Sequence, residues 1–376
     1  MKIKIYKIEP PNESWYWIRI ITDQGYEGWG EFFGGINANA AAQIIQDLSA
    51  SIVHKDPRNI LDCMDSFNSW QLINMKTNHL IATAWSAINQ ALWDITAQMY
   101  KLPLYQLLGA YGNNEIPLYA NLNKGLRNDR ATKLLQERAV SALHDGFQMI
   151  KCTPFDEVMP NSIFPDIRAG LERLEAVFSK VPVSKVAIDC HQRFHRTTLT
   201  QLLEYFSTKE ESPFWIEDII ALDKIDEFVE IRSRFSKFRW AGGESYCSIN
   251  DFNRLINKHI FDTIMPDIRY CGGISAAKII IPLAEENGVW VSLHNPSGPI
   301  ATAFSAHATA LSRYKMPLEY PYRTVESRQE ATIPAEPVKN GKYILSHRSG
   351  IGLRPNERYI KKYGFEWGEG KWTKML

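Results

Sequence analysis

Lys185-Val186-Ala187-Ile188-Asp189-Cys190-His191 is the stretch on which the fold turns. Three apolar residues run straight into an acid, with a histidine two positions further on. Alternate residues of a strand share a face, so Asp189 and His191 are expected on the same side. The pattern returns at Phe214-Trp215-Ile216-Glu217, 28 residues after Asp189, and Glu244 follows Arg239–Gly243 after another 27. Working outward, further β-type runs fall at Pro117–Asn121, Gln148–Cys152, Thr263–Asp267, Val289–His294 and Pro317–Tyr320. Amphipathic segments such as Ser275–Glu286 separate most neighbours. Eight β units alternating with helices specify a closed parallel (β/α) barrel, a modified TIM barrel, over residues 116–325. The competing architecture is a doubly wound α/β sheet, but no Gly-x-Gly-x-x-Gly or phosphate-binding loop follows an early strand.

In such a barrel chemistry sits at the C-terminal ends of the strands. The predicted strands end at Lys151, Asp189, Glu217, Glu244, Asp267, His294 and Glu319, with His191 just beyond the third. Charged residues make up only 23% of the chain, so chance is a poor account of seven ionisable ends out of eight. An unpaired charge on a crowded rim is costly. Three carboxylates from adjacent strands, Asp189, Glu217 and Glu244, would repel one another without a hard cation. Oxygen-only ligands with no cysteine pair nearby favour Mg²⁺ over zinc. Such an ion would stabilise the enediolate formed when a proton is removed next to a carboxylate.

Before the barrel, residues 1–115 read as a smaller α+β domain. Met1-Lys2-Ile3-Lys4-Ile5-Tyr6 alternates charge and apolarity and reads as a strand rather than a signal peptide. Trp15–Ile21 and Tyr26–Glu31, split by a turn at Asp23-Gln24-Gly25, continue an antiparallel meander. A helical period runs from His79 to Leu108, with Pro103 near its end. Residues 326–376 are turn-rich and are expected to pack back on the first domain. A net charge of +1 gives no reason to expect nucleic acid or a membrane surface as a partner. No run approaches the ~18 apolar residues of a membrane span. Five scattered cysteines without a CxxC pair point to reduced thiols and a cytoplasmic setting.

Several of these motifs together resemble the enolase superfamily, mandelate racemase/muconate lactonizing enzyme family. They are Ala91-Leu92-Trp93-Asp94 with Leu107-Leu108-Gly109, Ala241-Gly242-Gly243-Glu244, Pro266-Asp267 with Cys271-Gly272-Gly273-Ile274, His294-Asn295-Pro296 to Gly298-Pro299, and Gly350-Ile351-Gly352-Leu353. The seventh-strand motif is closest to the acid-sugar dehydratases similar to galactonate dehydratase. The resemblance implies a barrel with an α+β capping domain completed by the C-terminal segment, and a homo-oligomer. It implies Asp189, Glu217 and Glu244 as Mg²⁺ ligands and Asp267 with His294 as the base dyad. Lys151 matches the first lysine of the family's Lys-x-Lys, and Glu319 the acid that binds the substrate carboxylate. A rim salt bridge would explain Glu319 equally well.

Thr153 stands where the second lysine is expected, and threonine cannot take up a proton near neutral pH. A two-base racemase on the usual plan is therefore not expected unless Lys151 takes over that duty. His191 matches the histidine that protonates a departing hydroxyl in the dehydratases; its competing reading is a cap against Arg193 or solvent. The segment from Cys152 through Phe155, Pro160 and Pro165 reads as a substrate-selecting loop, facing Phe33 on the capping domain. Thr153, Phe33 and Phe155 join Lys151 and Glu319 as candidate substrate contacts. The expected reaction is dehydration of a sugar acid to a 2-keto-3-deoxy acid. The alternatives are a cycloisomerase acting on an anhydro-sugar acid, an epimerase, or a non-catalytic sugar-acid-binding barrel.

Overall fold

The computed structural model describes residues 1–110, 112, 114–126, 131–159, 166–219 and 225–375. Pro160 and Pro165 of the anticipated loop lie outside them. Strands Lys2–Ile8, Trp15–Ile21 and Glu27–Phe32 form the antiparallel meander. Two late strands, Gly364–Gly368 and Lys371–Lys374, extend it through the pairing of Tyr6 with Glu366. The sheet thus has five strands, two of them from the far end of the chain.

One 21-residue helix, His79–Met99, lies across this sheet, its start capped by the Asn78 side chain accepting from the Leu80 N–H. Glycine at two positions of the third strand permits the contact. A Cβ on Gly28 would stand 2.1 Å from the Ala91 carbonyl oxygen, and one on Gly30 2.2 Å from that of Ala87. The helix therefore packs with its backbone against the strand.

The eight parallel strands are Glu115–Asn121, Ile150–Cys152, Val186–Asp189, Trp215–Glu217, Trp240–Gly242, Thr263–Ile264, Trp290–Val291 and Leu318–Pro321, taken below as barrel strands one to eight. Each of the first seven pairs with the next except strand seven, and strand eight pairs with strand one. A helix lies between each consecutive pair, from Thr132–His144 to Pro299–Thr309. No ladder joins strands seven and eight among the described residues. Side chains bridge that seam: Ser292 Oγ donates to the Pro317 carbonyl at 2.7 Å, and Asn295 donates its N–H to Glu319 Oε2 at 2.7 Å and its side-chain amide to the Glu319 carbonyl at 2.9 Å.

The late segment serves both halves. Its strand Lys342–Ile344 pairs antiparallel with barrel strand one, away from strand two. At the junction Pro103 bridges to Gly350, and two buried groups tie three segments together. His307 accepts the Tyr105 N–H at Nδ1, 3.0 Å, leaving Nε2–H to face the Ile351 carbonyl at 3.2 Å. Asp94 accepts the N–H groups of Trp29 and Ile351. All five cysteines are free. No helix of the described residues is long and apolar enough to cross a membrane.

Candidate active site

Period-two alternation builds the site in layers. Tyr119, Met149, Ala187, Trp215, Ala241 and Met265 pack together inside the barrel. Two residues on from Met149, Ala187, Trp215 and Met265 stand Lys151, Asp189, Glu217 and Asp267, each on the same strand face or its extension. An ionic layer therefore caps an apolar one. Trp215 crosses between them, its Nε1–H donating to Glu217 Oε2 at 2.9 Å.

Lys151 is the centre of this layer. Its ammonium lies 2.6 Å from Glu217 Oε1, 3.0 Å from Glu319 Oε1 and 3.4 Å from Asp189 Oδ2, all four side chains being fully buried. Burial disfavours the ammonium, but Glu217, Glu319, Tyr119 and Asp189 outweigh that and hold the pKa well above its usual value. One lysine cannot balance three carboxylates. Burial, aggravated by Asp189, Glu319 and Glu244, pushes Glu217 well above the ordinary carboxylate range despite Lys151. Glu319 is fixed further by Asn121 Nδ2 at 2.5 Å and the Asn295 N–H.

Glu244, Asp267 and His294 lie two or three residues past the last ladder-bonded residues of strands five, six and seven, not at the strand ends themselves. The ladders stop at Gly242, Ile264 and Val291, and the chain stays near the rim. His294 Nδ1 sits 2.8 Å from Asp267 Oδ2, which leaves Nε2 facing Glu244 Oε2 at 3.1 Å. Burial works against charge on His294, yet Glu244, Glu319 and Asp267 raise its pKa to about 9. Glu244 Oε2 is buried and accepts no well-aligned hydrogen bond. His191 stands on the other side of Asp189, Nε2 3.2 Å from Asp189 Oδ2 and Nδ1 3.1 Å from Asp156 Oδ1. Its pKa is raised to about 11, burial being overcome by Asp189 and Asp156.

Among the described residues no three histidines, cysteines or acids are arranged to hold a metal ion as they stand. The donor set nevertheless suits a hard cation. It offers only oxygens, and the buried Glu244 Oε2 accepts no well-aligned hydrogen bond.

Two anticipated substrate contacts sit elsewhere. Phe155 is 1% exposed and packs on Phe194, ring centroids 5.1 Å apart, so it belongs to the core rather than to a substrate pocket. Nothing in a loop's spacing tells which way a ring turns, and Gly170 leaves the space it fills. Thr153 is also buried, its N–H donating to Asn123 Oδ1 at 2.7 Å, and it borders a small void beside Leu126 and Leu135. Phe33 remains at the mouth. It is half exposed and lines a cavity of about 820 Å³ between the capping sheet and the barrel, with Glu31, Arg269 and Ser297.

Sequence reasoning missed Arg269 and Tyr270. Arg269 forks onto Asp267, Nε 3.0 Å from Oδ1 and Nη2 2.5 Å from Oδ2, beneath the Phe33 ring. The Tyr270 hydroxyl reaches His294 Nδ1 at 3.3 Å. Both lie just past Pro266-Asp267, and an arginine two residues after a dyad acid was the available signal.

The ionic rim of a parallel barrel beneath a capping sheet is the setting of an enzyme's active site. Residues 134–359 match the family model "Enolase C-terminal domain-like", and residues 11–109 match "Mandelate racemase / muconate lactonizing enzyme, N-terminal domain". The chain belongs to the mandelate racemase/muconate lactonizing enzyme family of the enolase superfamily. It is 26% identical to the D-gluconate dehydratase of Thermoproteus tenax over 93% of this chain and 69% of that one. It is 25% identical to the D-galactonate dehydratase of Pectobacterium atrosepticum over 99% and 96%. Among solved structures, a mandelate racemase/muconate lactonizing enzyme-like protein from Rubrobacter xylanophilus superposes with a TM-score of 0.86 at 24% identity, covering 96% of both chains. An enolase from the Sargasso Sea environmental genome does so with 0.86 at 21%, covering 97% of both.

Proposed function

We propose that this chain is a Mg²⁺-dependent hydro-lyase that dehydrates a sugar acid to a 2-keto-3-deoxy acid. The observation that carries the reading is two histidines flanking one carboxylate cluster, each with a ring nitrogen held by its own acid. Asp189, Glu217 and Glu244 would hold the metal. When bound, Mg²⁺ supplies positive charge against the negative charge developing on the substrate carboxylate. His294 takes the C2 proton on Nε2, with Asp267 orienting Nδ1. His191 gives a proton to the departing C3 hydroxyl. Lys151 and Glu319 bind the substrate carboxylate end, and Phe33 borders the space for the remainder. The similarity to dehydratases named for gluconate and galactonate supports an aldonate as the substrate class.

Lys151 is locked as an ammonium by three carboxylates, which speaks against its acting as a second base and so against epimerisation. A binding-only barrel would have no use for an oriented base. We further propose a cytoplasmic homo-oligomer with the domain boundaries at 115/116 and 325/326. Exposed Ile36, Leu61, Trp70 and Ile73 on the capping half support association.

The test is NMR in D₂O after a mass-spectrometric screen of sugar acids for loss of water. His294→Asn should stop both dehydration and C2 exchange. His191→Asn should slow dehydration by roughly 10²–10⁴ while exchange continues. Substantial C2 epimerisation by the wild type would overturn the assignment.

A further inference from the structure

A histidine that delivers a proton to a leaving group needs one nitrogen pointed at the reaction and the other held. In nucleophile and acid–base dyads generally, a third group fixes the tautomer and the ring plane. His294 has such a partner in Asp267. His191 has one as well, and it comes from the loop that follows a neighbouring strand.

The loop after barrel strand two brings it there. Residues 153–159 run beside the turn that follows strand three, and four contacts join the two. Phe155 packs edge-on against Phe194. Arg193 donates from Nη1 to the Val158 carbonyl at 3.1 Å. Arg193 Nε lies 3.7 Å from Asp156 Oδ1. The same Oδ1 is 3.1 Å from His191 Nδ1. From behind, Arg173 donates to the Pro154 carbonyl at 2.7 Å and pairs with Glu157. Gly170 leaves no space for a Cβ, which would fall 2.2 Å from Phe155 Cδ1. Asp156 is thus set by a packed loop and cannot swing far.

His191 is constrained on its own side too. Its φ is +46°, a left-handed conformation that a non-glycine residue adopts only when its surroundings hold it there. The His191 N–H donates to Asp189 Oδ1 at 3.0 Å and secures that turn. Backbone and side chain together aim Nε2 at the ionic rim and Nδ1 away from it.

From this geometry we infer that Asp156 is the positioning residue for His191, fixing Nδ1–H so that Nε2 presents the proton taken by the leaving hydroxyl. The inference rests on the dehydratase reading given above. The step balances: His294 receives the C2 proton, the C2–H electron pair becomes the C2=C3 bond, the C3–O bond breaks, and the oxygen leaves as water with the Nε2 proton of His191. Asp156 touches no reacting atom.

The experiment compares Asp156→Asn with the wild type and with His191→Asn, in the full chain with Mg²⁺. Asn is isosteric and the Asp156 side chain is only 21% exposed, so melting temperature checks that the loop is retained. Three rates are read: dehydration, C2 deuterium exchange, and elimination of fluoride from a 3-deoxy-3-fluoro analogue, whose leaving group departs as an anion. Partners of this kind are worth on the order of 10–100-fold. Dehydration by Asp156→Asn should fall by that factor, with exchange and fluoride elimination within about threefold of wild type. Equal loss of all three rates would make Asp156 a scaffold of the loop and overturn the inference. So would unchanged dehydration in Asp156→Asn alongside impaired His191→Asn. A wild type that releases no water from any sugar acid would sink the dehydratase reading, and this inference with it.

Discussion

The barrel rim and the junction near Pro103 both bury ionisable side chains, and they treat them in opposite ways. At the rim Lys151, Asp189, Glu217 and Glu319 crowd together, and every group perturbs the others. At the junction His307 and Asp94 bury singly, each satisfied by backbone groups of distant segments. Crowding like charges costs stability, a cost that a bound cation would offset. Isolated, backbone-satisfied burial only ties segments together. The arrangement of neighbours, rather than burial itself, separates a working group from a fastening one.

The largest effect should come from Lys151→Met, which removes the ammonium shared by three buried carboxylates. Breaking a buried pair costs about 3–5 kcal/mol, so the variant should unfold several degrees earlier in calorimetry. Added Mg²⁺ should recover part of that loss by binding the folded state. A melting temperature unchanged from wild type would mean the rim tolerates its charge without Lys151. Glu244→Gln should come next. Outer-shell partners of a metal are worth about 10–100-fold, so loss of a ligand should exceed 100-fold in turnover and weaken Mg²⁺ in titration calorimetry, with the fold intact. Unaltered Mg²⁺ affinity would remove Glu244 from the ligand set.

The junction should respond to pH instead. Burial pushes His307 down to about 4 from 6.5. Between those values the unfolded chain binds the extra proton and the folded chain does not. Stability from this group should be complete above pH 6.5 and be lost on acidification towards pH 4, by about 3 kcal/mol at most. His307→Gln should flatten this part of the stability–pH curve while leaving turnover per folded molecule unchanged. A curve as steep as wild type would assign the acid sensitivity elsewhere. Smallest is Phe33→Ala, expected to change discrimination among sugar acids through kcat/KM by a few fold, about 1 kcal/mol. Metal affinity should not move. Equal kcat/KM ratios across substrates would place selection elsewhere on the mouth.

The rim acids were readable because strand alternation writes them into the chain. Val186-Ala187-Ile188-Asp189 and Phe214-Trp215-Ile216-Glu217 each carry an inward apolar residue two places before an inward acid. Loop geometry has no such period. Phe155 therefore read as a substrate contact and turned out to be core, while its neighbour Asp156 went unremarked beside His191. Arg269 and Tyr270 were hidden for the same reason, following the dyad acid in a turn. The strands Gly364–Gly368 and Lys371–Lys374 are short and glycine-bracketed. Only the open edge of the meander, more than 300 residues back along the chain, completes them.

The unladdered seam between strands seven and eight gives Glu319 two employments. Its carboxylate faces Lys151, and its backbone and side chain both receive bonds from Asn295 that hold the last strand beside its neighbour. Replacing Glu319 would remove one of the three bonds across that seam, the Asn295 N–H to Oε2, while the two to the Pro317 and Glu319 carbonyls remain. Phe33, at the half-exposed mouth, carries no such double duty: its side chain joins no strands.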